Sequence, residues 1–321
     1  MRRRRPRWQL VLIGFLLLIL LLIVIVWTQR RQIATDYIEG ELARRGVQAS
    51  YDVKRIGFSQ QQLENLVIGD PADPDLTARF VEVRIRHTLR GPKVSQVTAR
   101  GVRLFGGVVK GKLTFGSVDR LLPPPTGKPF ALPDLDVNLI DSAIGLTTPL
   151  GRMGVALEGR GNLADGFKGT AAVVSSSLLV SGCAIGKPSA YLKVAVDDRR
   201  PSLQGPVRAE RVVCEKDDVE VIDPIAILDA DFAEDVHNWN GEGAVRVARL
   251  RLGDKRASGL VGTLGFRGNG DLTRGDVTLA AAEGELAGVR AGRMTIDGRY
   301  AYAARNNRLS VVGDAGAENI V

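Results

Sequence analysis

The sequence predicts a mainly β protein that stands behind one N-terminal transmembrane helix. The chain contains 37 glycines but only 5% aromatic residues, a balance that suits a sheet with many tight turns better than a compact enzyme core. An uninterrupted apolar stretch lies close to the N-terminus. Much of the remaining chain alternates between apolar and polar side chains with a period of two, which is typical of strands with one apolar face and one wet face.

The apolar stretch runs from Trp8 to Trp27 and contains no charged residue. As a helix it would span about 30 Å, the thickness of the hydrocarbon layer, with a tryptophan at each membrane interface. A cleaved signal peptide would have a shorter apolar core and a small-residue cleavage site. Because the stretch ends in Trp27-Thr28-Gln29-Arg30, we expect an uncleaved anchor within residues 1–30.

The basic charge belongs to the flanks of this anchor. Residues 1–31 contain seven arginines and no acid, which leaves +1 of the net charge of +8 for residues 32–321. A nucleic-acid-binding protein would place its charge on the folded domain, so we expect no nucleic-acid partner. Five arginines precede the span and two follow it, which predicts a single-pass membrane protein with a cytoplasmic N-terminus and with the rest of the chain outside the cytoplasm.

The chain beyond the anchor divides into three predicted parts. Residues 31–122 read as a helix ended by Gly46 and a first β segment, in which Ser117 can cap a second short helix. Residues 123–133 hold five prolines and predict a linker. Residues 134–321 form the second β segment, which we expect to be truncated at its C-terminus because it stops mid-pattern.

The alternating runs define a candidate binding face. Its apolar members are Val81, Val83, Ile85, Leu135, Val137, Leu139, Leu192, Val194 and Val196. This face has three possible uses: two sheets packed together, one sheet closed on itself, or one sheet that curls without closing. In the third case it lines a groove for acyl chains, each sequestered CH₂ group contributing about 0.8 kcal/mol.

A glycine pattern occurs twice in the second β segment. Gly159-x-Gly161-x-Leu163-x-x-Gly166 returns as Gly268-x-Gly270-x-Leu272-x-x-Gly275, and both copies lie between strand-like runs. The repetition indicates a stacked β architecture.

The two cysteines, Cys183 and Cys214, each lie in a strand-like stretch. An oxidising compartment would permit a disulfide between them. The alternative, two separate buried thiols, stays open because sequence does not give the distance between their Cα atoms.

The sequence offers little catalytic chemistry. The loop-like segment Gly106–Lys112 is followed by Leu113, where a phosphate-binding loop needs Ser or Thr, so a glycine-turn hairpin is the better interpretation. His87 and His237 lie in unrelated contexts without neighbouring ligands, and the acidic run 70–75 lacks the glycine of a calcium loop. We therefore expect no catalytic residue, no metal and no cofactor.

Four segments carry a family resemblance: 33–47, 64–86, 97–123 and 130–163, together with the Arg-rich start and anchor. With them the chain resembles the AsmA-like envelope proteins, and within these the YdbH branch. The resemblance implies an elongated, curled, taco-like antiparallel sheet that carries phospholipid from the inner membrane towards the outer membrane. It also implies a small outer-membrane lipoprotein as partner.

Members of this family are usually much longer. If a strand and its turn take about 12 residues, strands stacked about 4.8 Å apart would give a sheet on the order of 100 Å long, which predicts an N-terminal fragment or a chain completed by a partner. We weigh a lipid-bridge component against an anchored scaffold that binds protein through exposed strand edges, and against an envelope hydrolase, which has the least support.

Overall fold

The computed structural model describes residues 40, 42–57, 59–89, 91–109, 112–121, 131–180, 182–286, 289–306 and 308–320. Within these residues the strands form a single sheet. The first segment supplies β1 (Ala49–Ile56), β2 (Gln60–Asp70), β3 (Asp73–Thr88), β4 (Gly91–Arg100), β5 (Arg103–Val109) and β6 (Lys112–Thr114), followed by a 3₁₀ helix (Gly116–Leu121). The mainly β prediction is confirmed.

The second segment supplies the remaining strands of the same sheet. They are β7 (Asp136–Thr148), β8 (Gly151–Asn162), β9 (Phe167–Val174), β10 (Ser177–Val180), β11 (Cys183–Gly186), β12 (Ser189–Asp197), β13 (Arg200–Arg208), β14 (Arg211–Cys214), β15 (Val219–Ile222), β16 (Ile225–Phe232), β17 (Asn238–Leu252), β18 (Lys255–Asn269), β19 (Leu272–Ala281), β20 (Glu283–Leu286), β21 (Val289–Ala303) and β22 (Arg308–Ile320). Short 3₁₀ turns cover Glu215–Asp217 and Ala304–Asn306.

The chain runs back and forth across the sheet as an antiparallel meander with one exception. Strands β4 and β5 both pair with β7 in parallel. This parallel joint connects the two predicted β segments directly. The linker prediction for residues 123–133 falls mostly outside the described residues, and the division of the chain near residue 130 stays a prediction.

Many of the short strands are halves of longer ones. Strand β12 pairs with β13 while β11 pairs with β14, and the same register continues across the two interruptions. The break between β11 and β12 falls at Lys187-Pro188 and that between β15 and β16 at Asp223-Pro224, where proline has no N–H for the ladder. The break between β13 and β14 falls at Ala209-Glu210, which faces these two. Pro188 and Pro224 still accept hydrogen bonds through their carbonyl oxygens from the neighbouring strands. Each long strand therefore bends without losing its partner.

Residues with a left-handed backbone conformation occur at the bends, at regular intervals along the chain. Lys187, Asp223 and Gly259 all have positive φ angles, of 45°, 49° and 62°, and successive members are 36 residues apart. Asn65 and Gly101 of the first segment and Asp141 of β7 also have positive φ angles, of 50°, 64° and 48°. Asn and Asp tolerate this region and glycine adopts it freely, so most of these side chains suit their positions.

The bend also shifts the alternation of side chains by one residue. Val247 and Leu250 are three apart, as are Ala257 and Leu260, yet all four belong to one apolar cluster. In a straight strand, residues three apart point to opposite faces. The shift therefore keeps apolar side chains on one side of the sheet on both sides of the bend.

Little of this sheet is packed as a conventional core. Leu260 is the largest side chain that is completely buried in the described part of the chain, at 1% exposure. The described strands at the two ends of the sheet, β1 and β22, each pair with one neighbour. The sheet is thus open, and most of its apolar side chains are only half-buried.

Asp141 fastens the parallel joint. Its carboxylate accepts hydrogen bonds from the Arg79 guanidinium of β3 and, at 2.8 Å, from Arg103 of β5. Arg103 also donates to the Asp141 carbonyl oxygen at 2.5 Å. Hydrogen bonding from Arg103, together with the charges of Arg103 and Arg79, holds the pKa of the Asp141 carboxyl below its usual range.

Several local predictions can be compared with the structure. Gly46 ends a helical turn with a φ of 64°, as predicted. The helix expected to follow a Ser117 cap is a 3₁₀ helix at Gly116–Leu121, which contains Ser117, so the prediction of Ser117 as its cap is wrong. The segment after Gly106 forms the β5–β6 hairpin.

In the described part of the chain, the helices fall short of the length and hydropathy that crossing a membrane requires. The Trp8–Trp27 anchor lies outside the described residues.

Cys183 and Cys214 face each other on β11 and β14 and are joined by a disulfide, with 4.1 Å between their Cα atoms. We expect replacement of both by alanine to lower the opening free energy of β11 and β14 by about 2–4 kcal/mol, because the bond closes a long loop. Native-state hydrogen exchange measures this. The amides of β18 and β19 serve as the internal control, and equal protection of β11 in both proteins would contradict the prediction.

The Asp141 joint should weaken in acid. A carboxyl with a lowered pKa stabilises the fold above its ordinary pKa, and this contribution is lost as the pH falls through the lowered value, below about 4. Asp141→Asn tolerates the same backbone conformation but has no charge to lose. We expect opening free energies of β7 amides to fall between pH 5 and pH 2 in the wild type and to stay flatter in the variant.

Candidate functional site

The most extensive feature of the sheet is a row of apolar residues that crosses it from strand to strand. Each member lies directly opposite the next in the strand register, so all members lie on one face. The row consists of Ala49, Ile68, Leu76, Leu104, Ile144, Val155, Val173, Ala190, Val207, Ala226, Val245, Gly262, Leu279 and Ile296. We call it the apolar row.

The apolar row contains no polar side chain. With strands about 4.8 Å apart, it extends for about 60 Å along the sheet. This is shorter than the length on the order of 100 Å that the sequence predicted. The difference arises because the long strands hold more residues than the roughly 12 assumed for a strand with its turn.

Over strands β2 to β9 the opposite face of the sheet carries a polar row. This row consists of Gln62, Glu82, Thr98, Asn138, Arg160 and Lys168. Each of them is next in the chain to a residue on the apolar side. Because successive side chains of a strand point to opposite faces, this row faces away from the apolar side. Over these strands the sheet therefore separates an apolar surface from a hydrated one, whereas further along the opposite face also carries exposed apolar side chains such as Tyr191, Ile227 and Val261.

Ion pairs and hydrogen bonds occupy the hydrated face. A hydrogen bond from Gln62 lowers the pKa of the Glu82 carboxyl, and Arg84 reinforces the effect. Exposed pairs of this kind contribute little stability individually. Their consequence here is to keep charge on one side of the sheet.

The residues of the apolar row are only partly covered by the rest of the protein. Apart from buried Ile68, its members are half-buried. A filled core would bury such valines and leucines almost completely, since protein interiors are close-packed. The row therefore lines a surface that still has room for a further apolar group.

The nine sequence-predicted groove residues occupy the same face, in neighbouring rows. Val81, Ala99 and Leu139 are opposite one another, and through Gly159 and Gly169 the row continues to Val194. Val83 is opposite Val97, which is opposite Val137. Leu192 lies two residues from Ala190 of the apolar row on β12. Ile85 pairs with Val94 beyond a bulge.

One end of the face is closed by the protein itself. Val137, Phe167 and Val196 form a cluster and are 8%, 4% and 4% exposed. Leu132, Leu135, Leu163 and Val194 pack against it. Leu135 also accepts a backbone hydrogen bond from Leu163 in the β8–β9 turn. Val137 and Val196 therefore serve as core at this margin, while the other strand candidates are half-buried.

The repeated glycine pattern has a structural explanation here. Both copies lie where a hairpin turns, at the ends of β8 and β18. A Cβ on Gly159 would come within 2.5 Å of the Phe167 ring, so glycine at this position lets the ring lie against the strand. Close packing at the ends of hairpins thus explains the repeated glycine pattern.

The central members of the apolar row were not predicted from the alternation of the sequence. In the sequence, Val155, Val173 and Val245 stand directly beside Ala156, Ala172 and Ala244, which are small and uncharged. The apolar–polar contrast is weak there, so a period of two is hard to see. The available signal was that each of these valines has another apolar residue two positions away, as Val245 has Val247.

No group of three or more His, Cys, Asp and Glu side chains in the described part of the chain is arranged to hold a metal ion. His87 lies in β3 and His237 in the β16–β17 turn, far apart in the strand register. Asp75 of the acidic run accepts a hydrogen bond from the Ser117 N–H at 2.8 Å and so anchors the 3₁₀ helix.

Comparison with known proteins identifies one family. The model of the family described as YdbH-like, intermembrane phospholipid transport protein YdbH, matches residues 16–224. No significant match was found among curated proteins or among solved structures.

The closed end of the face predicts a stability effect. Phe167→Ala should lower the local opening free energy by about 3–5 kcal/mol, because it removes a buried ring and leaves a cavity. Val174→Ala on the same strand is the matched control, since Val174 is 58% exposed. Hydrogen exchange of β9 and β12 measures both, and a similar small loss in each would contradict the assignment of Phe167 as core.

Proposed function

Because the chain belongs to the YdbH-like family, we propose that it is an inner-membrane-anchored periplasmic component that moves phospholipid between the inner and outer membranes. The observation that carries this proposal is the apolar row, which crosses fourteen strands without a polar side chain. Acyl chains occupy the apolar face and headgroups remain in water.

Transfer along such a surface needs no catalytic residue. Burial of acyl chains is favourable by about 0.8 kcal/mol per CH₂ group and does not depend on direction. A chain that slides from one strand to the next exchanges one apolar contact for another. The absence of a polar step along the apolar row keeps the barriers to sliding low, so the proposed role is transport without enzymatic chemistry.

The anchor and the partner complete the proposal. The Trp8–Trp27 segment holds the protein in the inner membrane with its N-terminus in the cytoplasm, as the arginine flanks support. The apolar row covers about 60 Å, and a small outer-membrane lipoprotein extends the path.

An anchored scaffold is the second candidate function. The observation in its favour is the open sheet, since the described strands β1 and β22 each offer one unpaired edge. Unpaired edges accept an added strand from a partner protein. A scaffold does not need the apolar face to be accessible, which separates the two candidates.

A photoreactive amino acid tests access to the face. Placed at Val207 in the apolar row, it should crosslink phospholipid in cells, because the half-buried position faces the proposed acyl chains. Ile227 is the matched control on the opposite face, 57% exposed. Mass spectrometry of the purified adduct identifies the lipid. Protein adducts alone at Val207 would favour the scaffold.

A charged substitution tests transport itself. Val207→Glu places a carboxylate on the path and should reduce co-purifying phospholipid about tenfold, since desolvating the charge costs more than the contact gains. Ile227→Glu should leave the lipid content unchanged. Equal lipid content in the two variants, with both folded by circular dichroism, would refute the groove.

A further inference from the structure

Aromatic side chains border the apolar face near the turns that join β16 to β17, β18 to β19 and β21 to β22. Five of the six aromatic residues between positions 171 and 321 lie there, and the sixth, Tyr191, lies on the opposite face of β12. The five are Phe232, Trp239, Phe266, Tyr300 and Tyr302. We call them the aromatic strip.

The aromatic strip lies on the same side of the sheet as the apolar row. Trp239 is six residues from Val245 on β17, with unbroken pairing in between, and lies directly opposite Phe232. Tyr300 is four residues from Ile296 on β21. An even spacing within a straight strand keeps side chains on one face. A lipid that lies on the apolar row can therefore reach the aromatic strip.

Two of the rings have a structural explanation. A Cβ on Gly241 would come within 2.5 Å of the Phe266 ring, and a Cβ on Gly275 would come within 2.8 Å of the Tyr300 ring. Each ring thus covers a glycine directly opposite it in the sheet. The Tyr300 hydroxyl also donates a hydrogen bond to the Gly265 carbonyl oxygen at 3.1 Å. Phe266 and Tyr300 therefore complete the surface of the sheet.

Covering a glycine does not explain Trp239. It lies opposite Gly268, but the three atoms nearest to a Cβ there belong to Leu272 and Thr273. The Trp239 ring instead contacts Phe232, with 6.4 Å between the ring centroids. In the described part of the chain its indole N–H makes no hydrogen bond to the protein. A ring with an apolar body and one polar N–H is favoured where an apolar phase meets water.

The other end of the same face, at the bend, is filled by the protein. Val247, Leu260 and Ala281 form a cluster and are 8%, 1% and 4% exposed. Val245 of the apolar row packs against this cluster, as does Leu250 from beyond the bend. Acyl chains on the apolar face therefore cannot pass the three buried residues, which we call the buried floor.

The distance from the buried floor to the aromatic strip matches one leaflet of a membrane. Six residues separate Val245, next to the floor, from Trp239, which corresponds to about 20 Å at about 3.3 Å per residue. One leaflet of a bilayer has an acyl layer of about 15 Å, and its headgroup layer adds about 5–7 Å. A phospholipid whose chains end at the buried floor thus has its ester groups close to the level of the aromatic strip.

We propose that the aromatic strip is the binding subsite for the glycerol ester region of the phospholipid, whose acyl chains lie along the strands and end at the buried floor. Trp239 is the positioning residue, because its indole N–H donates to an ester carbonyl oxygen while its ring covers the upper part of a chain. The headgroup lies in water beside the turns. This inference rests on the proposed function, to which it adds the orientation of the lipid.

Fluorescence quenching by brominated lipid tests this orientation in the full-length protein. The chain has three tryptophans, of which Trp8 and Trp27 lie in the anchor segment. Trp8→Phe with Trp27→Phe leaves Trp239 as the reporter. The purified protein is loaded with phosphatidylcholine that carries bromine either near the ester end or near the methyl end of an acyl chain. Bromine quenches on contact, so the ester-end lipid should quench Trp239 about twofold more strongly, since the two labels lie at different depths of the acyl layer.

A reporter next to the buried floor should give the reverse order. Val245→Trp combined with Trp239→Phe places the indole beside the chain ends, where the methyl-end lipid should quench more strongly. Ile227→Trp in the same Trp239→Phe background is the matched control, because Ile227 lies on the opposite face and is 57% exposed. Neither lipid should quench this control more than the other.

The outcomes separate the orientation of the lipid from lipid binding itself. Equal quenching of Trp239 by the two lipids, or stronger quenching by the methyl-end lipid, overturns the proposed orientation while lipid binding stands. Quenching of Trp239 by both lipids that is no stronger than in the Ile227→Trp control overturns the proposed function and this inference with it. Because Trp239 is a native residue, its comparison is decisive even if Val245→Trp fails to fold.

Discussion

The strand register is the constraint on which the rest of this structure depends. Fourteen strands each present one member of the apolar row directly opposite the next, from Ala49 on β1 to Ile296 on β21. A slip by one residue would turn the apolar set of a strand to the hydrated side. Keeping the register therefore preserves both the fold and the surface on which the proposed transport takes place.

The bends make this constraint compatible with a curved sheet. A strand that bends through left-handed residues such as Lys187, Asp223 and Gly259 changes direction, and its alternation shifts by one residue. The shift brings Leu250 and Ala257 into the same cluster as Val247 and Leu260. Without it, curvature would turn apolar side chains outward. The bends thus let the sheet curl while its apolar face remains on one side.

The sheet obtains its stability mainly from contacts between neighbouring strands. Few side chains are completely buried, so the fold resembles a repeat protein, in which each unit depends on its two neighbours. The disulfide between β11 and β14 and the Asp141 joint between β3, β5 and β7 strengthen particular steps of the ladder. A shallow core suits a protein that leaves an apolar face accessible, because filling that face would remove the site.

The division of charge has a parallel consequence. On most of the sheet the hydrated face carries the ions and the apolar face carries none. Beyond the bend the same division holds, because Arg249, Ser258 and Glu283 lie on the hydrated side while Leu250 and Ala257 stay on the apolar side.

The sequence by itself determined the secondary-structure class and the family resemblance. Alternation in runs such as that from Val81 to Ile85 marks a strand whatever its partner is, because period two is a local property. It also located Val81, Leu139 and Val194 on an apolar side. Only the tertiary structure decided that these three share one row, that Val137 and Val196 are core, and that Cys183 meets Cys214. Those facts depend on register between strands far apart in the chain, which local periodicity does not encode.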